Sequence, residues 1–281
     1  MKTLLAGVVG WPVAHSLSPR LHGYWLAAHN IAGSYVKLPV ARQDFAYVVL
    51  ALQRAGFAGV NVTIPHKEAA FALAGQIDDA ARATQAANLL VFQEDGTILA
   101  RNTDVFGLRS SLENELGITT LKGRHVVIAG AGGAARAAVV ALCALEAQRI
   151  TVLNRSQGRA EALVRTLASS FQVQLATGNF ADWPDLAADV ALLVNCTSIG
   201  LGHEPQFMLD LKLLPATARV CDVVYQRSGT ALVRDARQLG LPAIDGLGML
   251  MYQAVPSFAA FFGITPEVSP ALRRYLEVDL A

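Results

Sequence analysis

Apolar positions in the second half of the chain form short runs that alternate with longer amphipathic stretches. Short runs rich in β-branched residues predict buried strands, and the stretches between them predict helices. Six strands are predicted, at 125–129, 149–153, 173–176, 190–195, 220–223 and 242–244. Strands joined by crossover helices form a parallel, doubly wound sheet, so we predict that architecture for this half.

The first hundred residues alternate in the same way but include a hairpin signal. Runs at 88–92 and 97–100 flank Glu94-Asp95-Gly96, a turn sequence, and earlier strands are predicted at 4–9, 34–40 and 59–62. This pattern predicts a second α/β sheet. Two further helices, one ending near Phe262 and one at 270–277, follow the doubly wound half.

The 281 residues exceed what one core usually holds. We therefore predict an α/β protein of two domains. The first is an N-terminal substrate and catalytic domain at 1–103, onto which 249–281 fold back. The second is a dinucleotide-binding domain at 104–248.

Composition excludes several classes of protein. The net charge is +1, without a basic cluster, so nucleic-acid binding has no support. No apolar run reaches the about 18 residues that a membrane helix needs. The three cysteines are widely spaced in apolar segments, which indicates reduced thiols in a cytoplasmic protein rather than a disulfide framework or a metal site.

A glycine-rich turn follows the predicted strand 125–129. Gly130, Gly132 and Ala135 have the G-x-G-x-x-A spacing of a dinucleotide-binding turn, and an alanine-rich helix follows to about Ala147. Gly130 permits the tight turn, Gly132 lets the backbone approach a pyrophosphate, and Ala135 allows close helix packing. The pyrophosphate would lie at the helix N-terminus.

The end of the next strand selects the cofactor. An NAD site usually has an acidic residue there, whereas an NADP site has arginine. This chain has Asn154, Arg155, Ser156 and Arg159, without an acid between 154 and 160. Two guanidinium groups suit a 2′-phosphate, so we predict NADP, with NAD as a possibility. The alternative is that both arginines are solvated residues at a helix start.

Polar residues of the first domain each have an ordinary interpretation and a functional one. Ser18 before Pro19 is a typical N-cap, but capping does not explain Ser16, and the pair is a candidate for binding a carboxylate. Lys67 follows a strand end, and its ordinary interpretation is a solvated lysine. The ordinary interpretation of Asp104 is a helix N-cap. The functional interpretation is that both belong to an active site.

Taken together, the motifs resemble the shikimate dehydrogenase family over nearly the whole chain. The matching segments are 16–19, 61–67, 102–104, 130–136, 154–156, 195–200 and 246–254. The resemblance implies NADPH-linked reduction of 3-dehydroshikimate to shikimate, with Lys67 and Asp104 as the catalytic pair. Lys67 would stabilise and protonate the developing oxyanion, and Asp104 would orient Lys67.

The resemblance also implies binding roles. Ser16, Ser18 and Tyr225 would hold the substrate carboxylate, and Thr63, Asn88, Asp104 and Gln253 would contact ring hydroxyls. The implied cofactor-binding residues are Gly130, Gly132, Gly133, Ala134, Asn154, Arg155, Ser156, Arg159, Thr197, Ser198, Gly246 and Met249. The alternatives are a polar strand end for Thr197 and Ser198, and core packing for Met249.

The chain departs from the family pattern at Gly23, Leu89, Ala100, Arg227 and Phe261-Phe262. Leu89 would remove a polar contact near the ring, and Arg227 adds a cation near Tyr225. These departures are typical of a divergent paralogue.

The substrate, a cyclic hydroxy acid, therefore stays open among shikimate, quinate with shikimate, and an amino analogue; Ser18 favours shikimate. A catalytically weak nucleotide-binding sensor is a less favoured alternative. Both a monomer and a homodimer suit this size.

Overall fold

The computed structural model describes residues 4–168, 171–199, 209–226 and 229–278. The chain divides into two compact units. Among the described residues, the first unit comprises those up to Phe106 and Leu250–Val278, and the second comprises those from Gly107 to Met249. Both are α/β, which confirms the predicted fold class.

The first unit contains a mixed six-stranded sheet with the order β2-β1-β3-β5-β6-β4. Its strands are β1 Leu4–Gly10, β2 Gly33–Pro39, β3 Gly59–Val62, β4 Gln76–Ile77, β5 Leu89–Phe92 and β6 Ile98–Arg101. Strand β1 is parallel to β2 and β3, and β4 is parallel to β6. Strand β5 is antiparallel to β3 and β6, and β5 and β6 are the arms of the predicted hairpin.

The first five helices of the chain are α1 Ser18–Ala28, α2 Phe45–Arg54, α3 Lys67–Leu73, α4 Asp79–Thr84 and α5 Thr103–Leu116, of which only the start belongs to this unit. The two-residue strand β4 and the six-residue helix α4 were not predicted, because neither is long enough to show a periodic pattern. Helix α1 ends at Ala28, two residues before Asn30, which adopts a left-handed conformation with φ 52°.

Two different cores lie on the two faces of the sheet. One is aliphatic and includes Val9, Val49, Val60 and Leu90. The other is aromatic, and in it the ring of His22 stacks on that of Tyr35 at 4.0 Å and lies among the rings of Trp25, Phe258, Phe261 and Phe262.

The second unit contains an all-parallel sheet with the order β12-β11-β10-β7-β8-β9. Its strands are β7 His125–Ala129, β8 Arg149–Leu153, β9 Gln174–Gly178, β10 Val190–Asn195, β11 Arg219–Asp222 and β12 Ala243–Ile244. The sheet is the predicted doubly wound Rossmann type, and its order reverses between β7 and β10. Ligands of this fold bind at such a reversal, beyond the carboxyl ends of the strands.

The helices of the second unit are α6 Gly133–Ala144, α7 Gln157–Ala168, α8 Trp183–Leu186 and α9 Ala231–Gln238. Helix α6 is shorter than predicted because Glu146, with φ 62°, turns the chain out of the helix. Two more helices follow, α10 Gly246–Phe262 and α11 Pro270–Glu277. Among the described residues, none of the helices combines the length and apolar character required to cross a membrane.

Candidate active site

The two predicted catalytic residues lie together in the first unit. Lys67 is the first residue of α3, and its Nζ donates a hydrogen bond to Asp104 Oδ2 near the start of α5. The lysine side chain is 21% exposed and the aspartate side chain 9%. A partly sheltered ion pair keeps its charges effective while leaving the ammonium accessible.

Asn88 anchors the second oxygen of this carboxylate. Its Nδ2 donates to Asp104 Oδ1 at 2.8 Å and to Thr103 Oγ1 at 2.9 Å, and its Oδ1 accepts from the Thr103 backbone N–H at 2.7 Å. The helix-cap interpretation of Asp104 is wrong. The Asp104 N–H donates to Asn102 Oδ1 at 3.1 Å, so Asn102 is the capping residue and Asp104 lies inside the helix. The Asp104 carboxylate is therefore held by side chains alone.

Gln253 of α10 joins the same cluster. Its Oε1 lies 3.3 Å from Thr103 Oγ1 and 3.4 Å from Asn88 Nδ2. We call Lys67, Asn88, Thr103, Asp104 and Gln253 the catalytic cluster. It unites four residues to which the family resemblance assigns roles, with Thr103 added by the structure.

A buried bridge that the sequence did not reveal lies behind this cluster. Asn61 Oδ1 accepts from the Tyr35 hydroxyl at 2.8 Å, and Asn61 Nδ2 donates to Ser257 Oγ at 2.8 Å and to the Asn88 carbonyl at 3.1 Å. The only sequence signal was a polar side chain in the middle of the buried strand β3. The bridge fixes the Asn88 peptide against β2 and α10.

Ser18 is not the N-cap that the sequence predicted, and Ser16 makes a different contact. The N-cap of α1 is Leu17, which makes no side-chain hydrogen bond, and Ser18 is the first helical residue. Ser16 Oγ instead accepts from the Ser18 N–H at 3.3 Å.

Thr63 and Leu89 lie outside the catalytic cluster. No hydrogen bond among the described residues joins the Thr63 side chain to it, although Thr63 follows β3 directly. Leu89 is fully buried and pairs with Asn61 across β5 and β3. Any effect of Leu89 on a ligand is therefore indirect.

In the second unit, the glycine turn has the geometry that a pyrophosphate requires. Gly130 has φ +110°, and a Cβ there would lie 2.9 Å from the Cys196 carbonyl, so the protein itself requires glycine. A Cβ at Gly132 would meet nothing within 4 Å. The open space at Gly132 fits a ligand, and Gly132 is the N-cap of α6, so no side chain caps the first N–H groups of this helix.

The edge after β8 fits a ribose phosphate. Arg155, Ser156 and Arg159 are exposed, and Asn154 Nδ2 donates to the Ser156 carbonyl at 2.8 Å, which shapes the turn before α7. Exposed guanidinium groups suit a phosphate dianion, so the donor set fits NADP.

The other cofactor candidates differ in accessibility. Ser198 is exposed and Met249 is half-buried, whereas a Cβ at Gly246 would lie 2.0 Å from the Val223 carbonyl oxygen, so packing requires that glycine. Thr197 Oγ1 donates to Asn195 Oδ1 at 2.7 Å and accepts from the Ile199 N–H at 3.1 Å. Its hydroxyl is thus used within its own turn.

Of the remaining candidates, Gly133 and Ala134 lie half-buried in the first turn of α6, and Tyr225 is half-buried after β11. Gly200 and Arg227 lie outside the described residues.

A dinucleotide-binding unit and a unit with a lysine–aspartate pair define a class of protein, the dinucleotide-dependent oxidoreductases. Two family models match the chain: "Shikimate dehydrogenase substrate binding domain" over residues 8–90, and "Shikimate / quinate 5-dehydrogenase" over residues 112–200. The chain belongs to the shikimate dehydrogenase family.

Relatives match along nearly their whole length. The chain is 48% identical to shikimate dehydrogenase (NADP(+)) of Methylobacterium radiotolerans, covering 98% of this chain and 97% of that protein. It is 45% identical to the Rhodospirillum rubrum protein of the same name, and the match covers 97% of this chain and 96% of that protein. The Thermus thermophilus enzyme, whose crystal structure contains NADP(H) and shikimate, is 31% identical in sequence to this chain. The two structures superpose with a TM-score of 0.83, and the match covers 99% of this chain and 100% of that one.

Proposed function

We propose that this protein interconverts 3-dehydroshikimate and shikimate with NADP(H). The observation that carries the proposal is the Lys67–Asp104 ion pair anchored by Asn88. It is supported by a cofactor edge that fits NADP and by relatives named for this activity with NADP(+).

Bound NADPH supplies the hydride for a carbonyl carbon. As the carbonyl oxygen gains negative charge, the Lys67 ammonium stabilises it and transfers a proton to it. Asp104 keeps Lys67 in place through Oδ2. Each carboxylate oxygen has more than one lone-pair direction, so Asp104 can also accept from a ring hydroxyl while Lys67 and Asn88 remain bound.

Fixed donors and acceptors orient the substrate ring. Asn88 and Gln253 belong to the catalytic cluster and recognise ring hydroxyls. Ser16, Ser18 and Tyr225 hold the carboxylate, and Thr63 contacts the ring. Shikimate is the favoured substrate, with quinate and an amino analogue as alternatives.

The cofactor roles follow the two parts of the second-unit site. The backbone at Gly130, Gly132, Gly133 and Ala134 receives the pyrophosphate at the start of α6. Arg155 and Arg159 bind the 2′-phosphate together with Asn154 and Ser156. Thr197, Ser198, Gly246 and Met249 remain proposed cofactor contacts, of which the Thr197 hydroxyl has the weakest support because of its internal hydrogen bonds.

A substrate panel tests this proposal. NADP+ or NAD+ reduction is followed at the nicotinamide absorbance band with shikimate, quinate and an amino analogue in turn. We expect the highest kcat/KM with shikimate and NADP+. Faster turnover of quinate would reassign the substrate, and no reduction with any cyclic hydroxy acid would favour a nucleotide-binding sensor.

We further propose a cytoplasmic location and a monomeric or homodimeric state. The three free cysteines support the first of these. Light scattering coupled to gel filtration measures the second, and a larger assembly would contradict it.

A further inference from the structure

Asp222, at the carboxyl end of β11, is a fully buried carboxylate with an unusual set of partners. Its Oδ2 accepts from Thr230 Oγ1 at 2.6 Å. Its Oδ1 accepts from Asn195 Nδ2 at 2.8 Å and from the Val224 N–H at 3.0 Å. In the part of the chain that the structure describes, no cation forms an ion pair with it. A buried charge held by neutral donors alone is costly, so its presence calls for an explanation.

Two of the three donors are close to predicted ligand-binding residues. Val224 immediately precedes Tyr225, and Asn195 lies two residues before Thr197. The third donor, Thr230, caps α9, since its Oγ1 accepts from the Val233 N–H at 3.3 Å. A single carboxylate thus binds the backbone next to Tyr225 and the N-cap residue of α9.

Asn195 extends this arrangement to the neighbouring strand. While its Nδ2 donates to Asp222, its Oδ1 accepts from the Thr197 N–H at 3.0 Å and from the Thr197 hydroxyl at 2.7 Å. The turn bearing Thr197 and Ser198 therefore depends on the orientation of the same amide.

We propose that Asp222 is a positioning residue, whose carboxylate fixes the Val224 backbone next to Tyr225 and the Asn195 amide of the Thr197 turn, and so pre-orients Tyr225 for binding the substrate carboxylate. This inference rests on the proposed function. The ionised form is the one that fits, because all three partners donate, and hydrogen bonds to a carboxylate are stronger than those to a neutral acid. A proton on Asp222 would weaken all three.

The protonation state of Asp222 changes in an accessible pH range. Burial raises the pKa of Asp222 to about 6, although its three hydrogen bonds lower it, and the nearby Asp245 raises it further. The other ionisable groups facing this cluster are Glu115, Cys196 and Cys221. Burial raises the pKa of each thiol well above its usual range, so both stay neutral near pH 6. The affinity for the substrate should therefore fall as the pH drops through about 6.

The decisive variant is Asp222→Asn, which preserves shape but removes the charge and one acceptor. We expect the KM for shikimate to rise about tenfold, because hydrogen bonds to a charged group are lost, while kcat changes less than about threefold. In the wild type this KM should increase from pH 7.5 to 5.5, and in the variant the dependence should be flat. Saturating NADP+ keeps the titration of its 2′-phosphate, with a pKa near 6, out of the measurement.

A double-mutant cycle tests whether Asp222 acts through Tyr225. If it does, Asp222→Asn should raise KM far less in a Tyr225→Phe background than in the wild type. Asp210→Asn is the matched control, since Asp210 is an exposed carboxylate of the same unit that caps a 3-10 turn. Its KM and pH profile should equal those of the wild type.

If Asp222→Asn does not fold, Thr230→Val provides a second test, because it removes one hydrogen bond to Asp222 and leaves the carboxylate in place. Loss of one hydrogen bond to the ionised form should shift the midpoint of the KM–pH profile upward, and Thr230→Ser should restore it. Equal KM increases in both backgrounds, an unchanged pH profile, or a loss of kcat without a change in KM would overturn the inference. A wild type that does not oxidise shikimate would instead refute the proposed function.

Discussion

The catalytic cluster of the first unit and the glycine turn of the second are built in opposite ways. In the cluster, side chains hold one another: both oxygens of Asp104 are occupied by Lys67 and Asn88. At the turn, the site consists of backbone N–H groups, open space at Gly132 and exposed arginines. Chemistry at a single atom requires fixed groups, whereas a long charged cofactor can be bound by backbone and by mobile cations. The comparison predicts that substitutions in the cluster impair kcat and that substitutions at the turn impair cofactor affinity.

Lys67→Ala should break the cluster most severely. We expect kcat to fall by about 100- to 10,000-fold, the range for loss of a positioned proton donor, with a modest change in shikimate KM. Steady-state kinetics at saturating NADP+ measure both. Lys122→Ala removes an exposed lysine and should behave as the wild type. A variant that retains near-normal turnover would remove Lys67 from the mechanism.

Arg155→Asp should shift the cofactor preference. Replacing a phosphate-binding cation by an acid should lower the NADP+ to NAD+ ratio of kcat/KM by about 100-fold, since about 3 kcal/mol is lost with a hydrogen-bonded charge. The matched control is Arg165→Asp, at an exposed position near the other end of α7. An unchanged ratio in Arg155→Asp would contradict the NADP assignment.

Two glycines of the turn should separate ligand binding from folding. Gly132→Ala places a methyl in open space, so we expect an unchanged melting temperature but an about tenfold weaker NADP+ affinity, measured by calorimetry. Gly130→Ala forces a left-handed conformation onto alanine against the Cys196 carbonyl and should cost about 1–3 kcal/mol of stability. Normal cofactor affinity in Gly132→Ala would show that the pyrophosphate does not approach there.

The pH dependence of stability reports on His22, which lies in the aromatic core of the first unit. Both ring nitrogens are buried without hydrogen-bond partners in the described structure, and burial lowers the pKa of His22 to about 3. The unfolded chain binds a proton at this position near pH 6.5. Stability is therefore fully present above that pH and falls as the pH decreases toward 3.

Between pH 7 and pH 5, this histidine should account for a loss of about 2 kcal/mol in the free energy of unfolding. Urea denaturation of His22→Leu should show a correspondingly smaller pH dependence, whatever its absolute stability. Substituting the exposed His29 on the same side of the unit should leave the dependence in place. An equal slope in His22→Leu and wild type would mean that His22 becomes protonated in the folded state.

Local signals predicted the strands well and the buried polar contacts poorly. Strands β3, β7, β8 and β10 begin and end where their apolar runs do. The predicted capping roles of Ser18 and Asp104 were wrong. Each helix begins one or two residues earlier than its motif suggested, and a sequence motif does not determine the first residue of a helix that closely. Asn61 and Ser257 are 196 residues apart, so no local pattern could pair them.

The Asp222 arrangement escaped sequence reasoning for the same reason. An aspartate after an apolar strand is ordinary, and its importance appears only when Asn195 and Thr230 are seen to converge on it. The family resemblance compensated for this at the catalytic cluster, where it named four of the five members.

The amide of Asn88 has a further consequence for ring recognition. Its nitrogen carries two hydrogens but lies within reach of three acceptors, and Gln253 Oε1, at 3.4 Å, is the most distant of them. The two hydrogens of Asn88 Nδ2 cannot serve all three acceptors at once, and losing the longest contact costs the least free energy. A hydroxyl arriving from the substrate can therefore satisfy Gln253 without disturbing the contacts that hold the aspartate, so the contact between Gln253 and Asn88 is the one in the cluster that a substrate replaces most easily.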